Sequence, residues 1–105
     1  MMEIVYSINK VPIRLTNERW LHISIGHPEV ADFYVEILET IQSPLKVYEG
    51  TFNEKLALSK IENTDKYLIV VYKEVTDTDG FIITSFISNK LNYLNNKKEI
   101  WKRSQ

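Results

Sequence analysis

The sequence contains no cysteine, only two histidines, three glycines and three prolines in 105 residues. Without thiols there is no disulfide framework, no thiolate zinc site and no cysteine nucleophile, and the composition fits a reducing, cytoplasmic location. With two histidines as the only other strong zinc ligands, neither a metal centre nor a cofactor is expected. No stretch approaches the roughly 18 apolar residues that cross a bilayer, so no membrane partner is expected. The longest apolar runs, Leu68–Tyr72 and Phe81–Phe86, are strand-sized. Met1-Met2-Glu3 carries no basic leader and reads as no signal peptide. Glycine-rich phosphate loops, the GxSxG elbow, HExxH and carboxylate-rich calcium loops are also missing.

What is present is ordinary for one domain spanning residues 1–105, with 44% hydrophobic and 26% charged residues in 12.4 kDa. A chain of this size supports one modest core, so an active site must be an open cleft. The net charge of -1 conceals a gradient. Residues 1–88 carry eight Lys/Arg against thirteen Asp/Glu, a net of -5, whereas residues 89–105 carry five Lys/Arg against Glu99, a net of +4.

Ile4-Val5-Tyr6 and Ile13-Arg14-Leu15 read as short extended segments around Pro12. Thr16 fits an N-cap for a helix over Asn17–Ile25, with Glu18 in its first turn and Gly26 as a left-handed terminator. A second helix starts at Pro28, with Val30, Phe33, Tyr34, Ile37, Leu38 and Ile41 along one face and Glu29, Asp32, Glu36 and Glu39 covering the solvated remainder. Beyond Pro44 the pattern shortens, giving strands at Lys46–Glu49, Lys55–Ile61, Tyr67–Val75 and Phe81–Ser88. Asp79-Gly80 marks a hairpin between the last two, with a loop longer than two residues. The expected fold class is α+β: two N-terminal helices on one face of an antiparallel sheet of about four strands, followed by a short helical or irregular tail with Trp101 packing back.

The residues able to carry chemistry are few: His22, His27, Lys60, Lys73, Thr84, Ser85 and Lys90. His27 has two readings, a helix-junction residue packed near Trp20 and Ile23 or a group lining a positive pocket. Lys73 shares a strand face with Tyr67, Ile69, Val71 and Val75, where it either snorkels to solvent or serves a site. Thr84 shares a face with Ile82 and Phe86, and its plain reading is a core threonine. Together the set suits cleavage of RNA without a metal. Histidine handles protons near neutral pH, lysine balances the phosphate, and a hydroxyl donates to its oxygen.

The series Ile13-Arg14-Leu15-Thr16-x-x-Arg19-Trp20-x-His22-Ile23, His27-Pro28-Glu29, Lys66-Tyr67-Leu68-Ile69-Val70-Val71-Tyr72-Lys73-Glu74 and Gly80-Phe81-Ile82-Ile83-Thr84-Ser85-Phe86 resembles small bacterial and phage-related proteins. These are grouped in the barnase–EndoU–colicin–RelE-like (BECR) nuclease superfamily, and the similarity covers roughly residues 12–102. The resemblance implies a toxin-like ribonuclease with His22 and His27 as acid–base candidates, Lys73 on the phosphate and Thr84 supplying a hydroxyl from a late strand. Lys60, Ser85 and Lys90 would support substrate binding. In such proteins an Arg often precedes the His-Pro-Glu, where this chain has Gly26; if that Arg holds the phosphate, its loss weakens catalysis. The competing expectation is a catalytically silent RNA- or protein-binding module. The partners implied are RNA, held in part by the basic tail, and an antitoxin or other protein.

Overall fold

The computed structural model describes residues 2–104. Its elements run β1 (Met2–Tyr6), β2 (Pro12–Thr16), α1 (Asn17–Gly26), a 3-10 turn (Pro28–Val30), α2 (Tyr34–Gln42), β3 (Lys46–Glu49), β4 (Lys55–Lys60), β5 (Tyr67–Thr76), β6 (Asp79–Ser88), a second 3-10 turn (Asn92–Asn96) and β7 (Lys98–Lys102). The α+β class holds, but the expected four-stranded antiparallel sheet does not. Among the described residues one sheet has seven strands in the order β1-β2-β6-β5-β4-β3-β7, and β2 runs parallel to β6. Two of the additional strands, β1 and β2, precede both helices, and the tail supplies a third, β7, paired with β3.

The parallel join between β2 and β6 is short, pairing Ile13 with Gly80 and Arg14 with Phe81. It depends on a glycine: a Cβ on Gly80 would lie 2.5 Å from Ile13 Cδ1 and 2.6 Å from the Lys73 carbonyl oxygen. The β5–β6 hairpin closes at Thr76 and Asp79, leaving only Asp77 and Thr78 as the loop, so the strands reach further than the turn residues implied. A register shift at Val71/Tyr72 places Ile83 and Thr84 together at the bulge opposite Val71.

Each face of the sheet has its own apolar cluster. On the helix side, Ile13 and Leu15 of β2, Leu68, Val70 and Tyr72 of β5 and Ile82 of β6 pack with Ile37 and Ile41 of α2 and Ile23 of α1. On the second face, Leu56 and Leu58 of β4 join Ile69 and Val71 of β5 under Leu94 from the second 3-10 turn. The two helices are therefore not equivalent layers: α2 covers the sheet, while Arg19 of α1 reaches the margin of β6 at the Ile83 carbonyl.

Thr16 caps α1 as expected, accepting a hydrogen bond from the Arg19 amide. Gly26 does not adopt the left-handed backbone; it ends the helix with His27 as C-cap. The helix expected from Pro28 onward is split, because Pro28–Val30 forms a single 3-10 turn and α2 begins only at Tyr34. Val30 is nevertheless fully buried and Phe33 packs against the core, so the apolar spacing continues across a break it does not reveal. No helix among the described residues is long and apolar enough to cross a membrane.

Candidate functional site

Antiparallel partners present their side chains to the same face, which places most of the candidate residues directly. Thr84 opposes Val71 and Phe86 opposes Ile69, putting both on the second face, and Lys73 joins them opposite Phe81. Thr84 and Lys73 are diagonal neighbours, with Cβ atoms roughly 7 Å apart by sheet geometry. Thr84 is therefore not the core threonine of its plain reading. It is half-buried, and neither its hydroxyl nor the Lys73 ammonium has a side-chain partner among the described residues.

His27 reaches this face from the end of α1. Its ring lies 5.9 Å from that of Phe86, tilted by 36°, and Phe86 in turn lies 6.2 Å from Tyr93. It does not pack on Trp20, which stands edge-on to Tyr34 at 5.0 Å. His27 Nδ1 is 3.3 Å from Glu29 Oε2. That contact follows from the His-Pro-Glu sequence, since Pro28 starts the 3-10 turn and brings the carboxylate back beneath the ring. Glu29 thereby favours a proton on Nδ1 and leaves Nε2 for other work.

Arg19 is the cation that residue-type reasoning overlooked. Its Nη1 donates to the Ile83 carbonyl at 3.4 Å, next to Thr84, while the side chain remains exposed. No local signal marks it, because the contact joins residues 64 apart in sequence. His22 stands one turn further along α1, exposed and without a side-chain partner among the described residues, so the structure does not join it to His27. The candidates that share this face are His27, Lys73 and Thr84, with Arg19 at its margin.

The other candidates fall elsewhere. Ser85 opposes Val70 on the helix side, is fully buried, and donates to the Ile69 carbonyl at 2.8 Å, which takes it out of reach of a substrate. Lys60 opposes Tyr67 and holds its Nζ 5.9 Å from that ring, two strands from β6. Lys90 is exposed just beyond β6, where its backbone is tied to the Ser88 hydroxyl. The basic tail is not a free arm: Lys46 Nζ pairs with Glu99 at 3.3 Å, and Arg103 Nη2 donates to the Ser43 carbonyl at 2.6 Å. β7 lies four strands from β6, about 19 Å at ordinary strand spacing.

Three acidic side chains lie together on the opposite side. An open groove of about 810 Å³ between α2 and the β4–β5 turn is lined by Glu36, Glu39 and Glu62 with Lys60, and belongs to the helix side of the sheet. Among the described residues no group of three His, Asp or Glu side chains could hold a metal ion. Comparison of the chain with protein-family models, curated proteins and solved structures finds no match.

Proposed function

We propose that the protein is a toxin-like ribonuclease that binds RNA over the β6 side of the second face and cleaves it by acid–base chemistry of its own side chains. The observation carrying this reading is the presence of His27, Lys73 and Thr84 on one face of the sheet, with Arg19 at its margin. Neither Arg19 nor Lys73 is neutralised by a carboxylate among the described residues, so both cations are available to phosphate. Of the body's carboxylates, Glu36, Glu39 and Glu62 line the groove behind the sheet, and Glu29 is held against His27.

In this reading His27, oriented by Glu29, accepts the 2′-OH proton. The 2′-oxygen attacks phosphorus, a 2′,3′-cyclic phosphate forms, the bond to the 5′-oxygen breaks, and that oxygen takes a proton from water while the proton held by His27 returns to solvent. Lys73 and Arg19 hold the phosphate as charge builds, and the Thr84 hydroxyl donates to a non-bridging oxygen. The same chemistry in the cytoplasm requires restraint by an antitoxin-type protein.

Incubating the protein with total RNA, beside His22→Ala, His27→Ala and Lys73→Ala, tests the assignment. The wild type should release products ending in cyclic phosphate, and His27→Ala should lose on the order of a hundredfold in rate. Cleavage that survives unchanged in all three variants refutes the assignment. An inert wild type that still binds RNA points to the silent module, a reading that Gly26 favours.

A further inference from the structure

The face carries a feature that phosphate chemistry does not require: a continuous aromatic row, His27–Phe86–Tyr93, with ring centroids 5.9 and 6.2 Å apart. A row built only to fill a core would be closed over. Here Tyr93 is 37% exposed and the His27 side chain 41% exposed, at the edge of the second 3-10 turn, while the adjacent Leu94 does the burying. The planes are tilted by 36° and 47°, so the rings form a stepped surface rather than a closed stack.

We infer that Phe86 and Tyr93 form a nucleobase-stacking subsite, which takes one unpaired base of a single-stranded RNA next to the phosphate at Thr84. This rests on the proposed RNA reading and names its substrate class. Phe86 is two residues from Thr84 on one face, about 7 Å along the strand, close to the spacing of successive phosphates in an extended single strand. The flanking cations are the complementary half: Arg19 and Lys73 hold backbone phosphates while the row holds the base. A duplex cannot use such a surface, because its bases are stacked on one another. Tyr93 is the expendable member, since its ring is more exposed than that of Phe86, the other ring of the subsite.

The test is fluorescence anisotropy with a short, labelled 2′-O-methyl RNA, which lacks the attacking hydroxyl and so reports binding without cleavage. A set of the same strand with one abasic position moved along it completes the probe, and cleavage of ordinary RNA is followed in parallel. Tyr93→Ala should weaken binding about tenfold and Tyr93→Phe by less than about twofold, with the salt dependence unaltered because no phosphate contact is lost. One abasic position should cost the wild type about as much, and cost Tyr93→Ala nothing further. Wild-type binding with Tyr93→Ala indistinguishable from it overturns the subsite and leaves the ribonuclease reading in place. Tyr93-dependent binding without cleavage supports the subsite and removes the ribonuclease reading. No binding by the wild type overturns both.

Discussion

Thr84 and Ser85 are neighbours on one strand, carry the same functional group, and have opposite fates. Ser85 turns toward the helices, where its hydroxyl is sealed from solvent and donates to the Ile69 carbonyl. Thr84 turns toward the second face, where the bulge opposite Val71 holds it beside Ile83 with its hydroxyl unengaged among the described residues. The same division runs through the hairpin: Leu68, Val70 and Tyr72 belong to the core under α2, and Ile69, Val71 and Lys73 face the other way. Both faces carry buried clusters, but along β6 the helix side is sealed at Ile82 and Ser85 while Ile83 and Thr84 on the second face are only half-buried, so substitutions along this strand should separate into two classes by side-chain direction.

The largest effect is expected at Ile82, which is fully buried on the helix side. Ile82→Ala should cost about 3 kcal/mol through lost burial and the cavity left behind. Ile83→Ala, one residue away and half-buried on the second face, should cost about 1 kcal/mol. Urea denaturation of both variants measures the difference. Equal losses would show that the second face is as much a core as the first.

The hydroxyl pair sharpens the same contrast. Ser85→Ala should lose about 1 kcal/mol from a buried hydrogen bond while leaving cleavage per folded molecule unchanged. Thr84→Val, which keeps the β-branched shape, should stay within about 0.5 kcal/mol of the wild type in stability. It should nevertheless lose roughly tenfold or more in cleavage rate. A reversal of this pattern would reassign the site to the helix side.

Tyr72 tests the core face in the opposite direction. Its hydroxyl is buried with no hydrogen-bond partner among the described residues, so Tyr72→Phe should raise stability by about 1 kcal/mol. Burial first, and then the Glu74 carboxylate, push this hydroxyl's pKa well above its ordinary value. The folded protein therefore keeps a proton that the unfolded chain releases above about pH 10. The associated stability is intact below that pH and declines as pH rises beyond it. Thermal melts between neutral pH and pH 11 should show a shallower alkaline decline for Tyr72→Phe than for the wild type.

How legible this arrangement was depended on whether its cause was local. Thr16 and its helix, the apolar stripe ending at Ile41, and the extended runs of β3 to β6 follow from capping, period and turn chemistry, all contained within a few residues. The parallel contact of β2 with β6 joins residues far apart in sequence and leaves no local trace. β7 escaped for a different reason. Lys98, Glu99 and Lys102 give an edge strand the charge that deters further pairing, and this hides its alternation. Leu91 and Leu94 share one cluster and Trp101 belongs to the opposite one, so the tail serves two sides of the sheet. At the candidate site, residue type put forward His27, Lys73 and Thr84, which the structure places on one face. Facing direction, which separates Thr84 from Ser85, required the register and its bulge.

A modest expected gain in stability accompanies the most direct test of the second face. Gly26 closes α1 immediately before His27, its backbone is not left-handed, and a Cβ there would meet nothing within 4 Å. Gly26→Arg should therefore fit without strain. It should add about 0.5–1 kcal/mol, from helix propensity and from a positive charge in the last turn. Gly26 also lies seven residues after Arg19, two turns along the same side of α1, so the new guanidinium joins the stripe that reaches β6. RNA affinity should rise, and the logarithmic salt dependence should steepen by roughly one phosphate contact. Gly26→Ala provides the control, because it shares the helix-propensity gain without the charge. Stabilisation by both variants with tighter RNA binding by Arg alone would place the phosphate path along this edge; equal RNA binding by the two would place it elsewhere on the face.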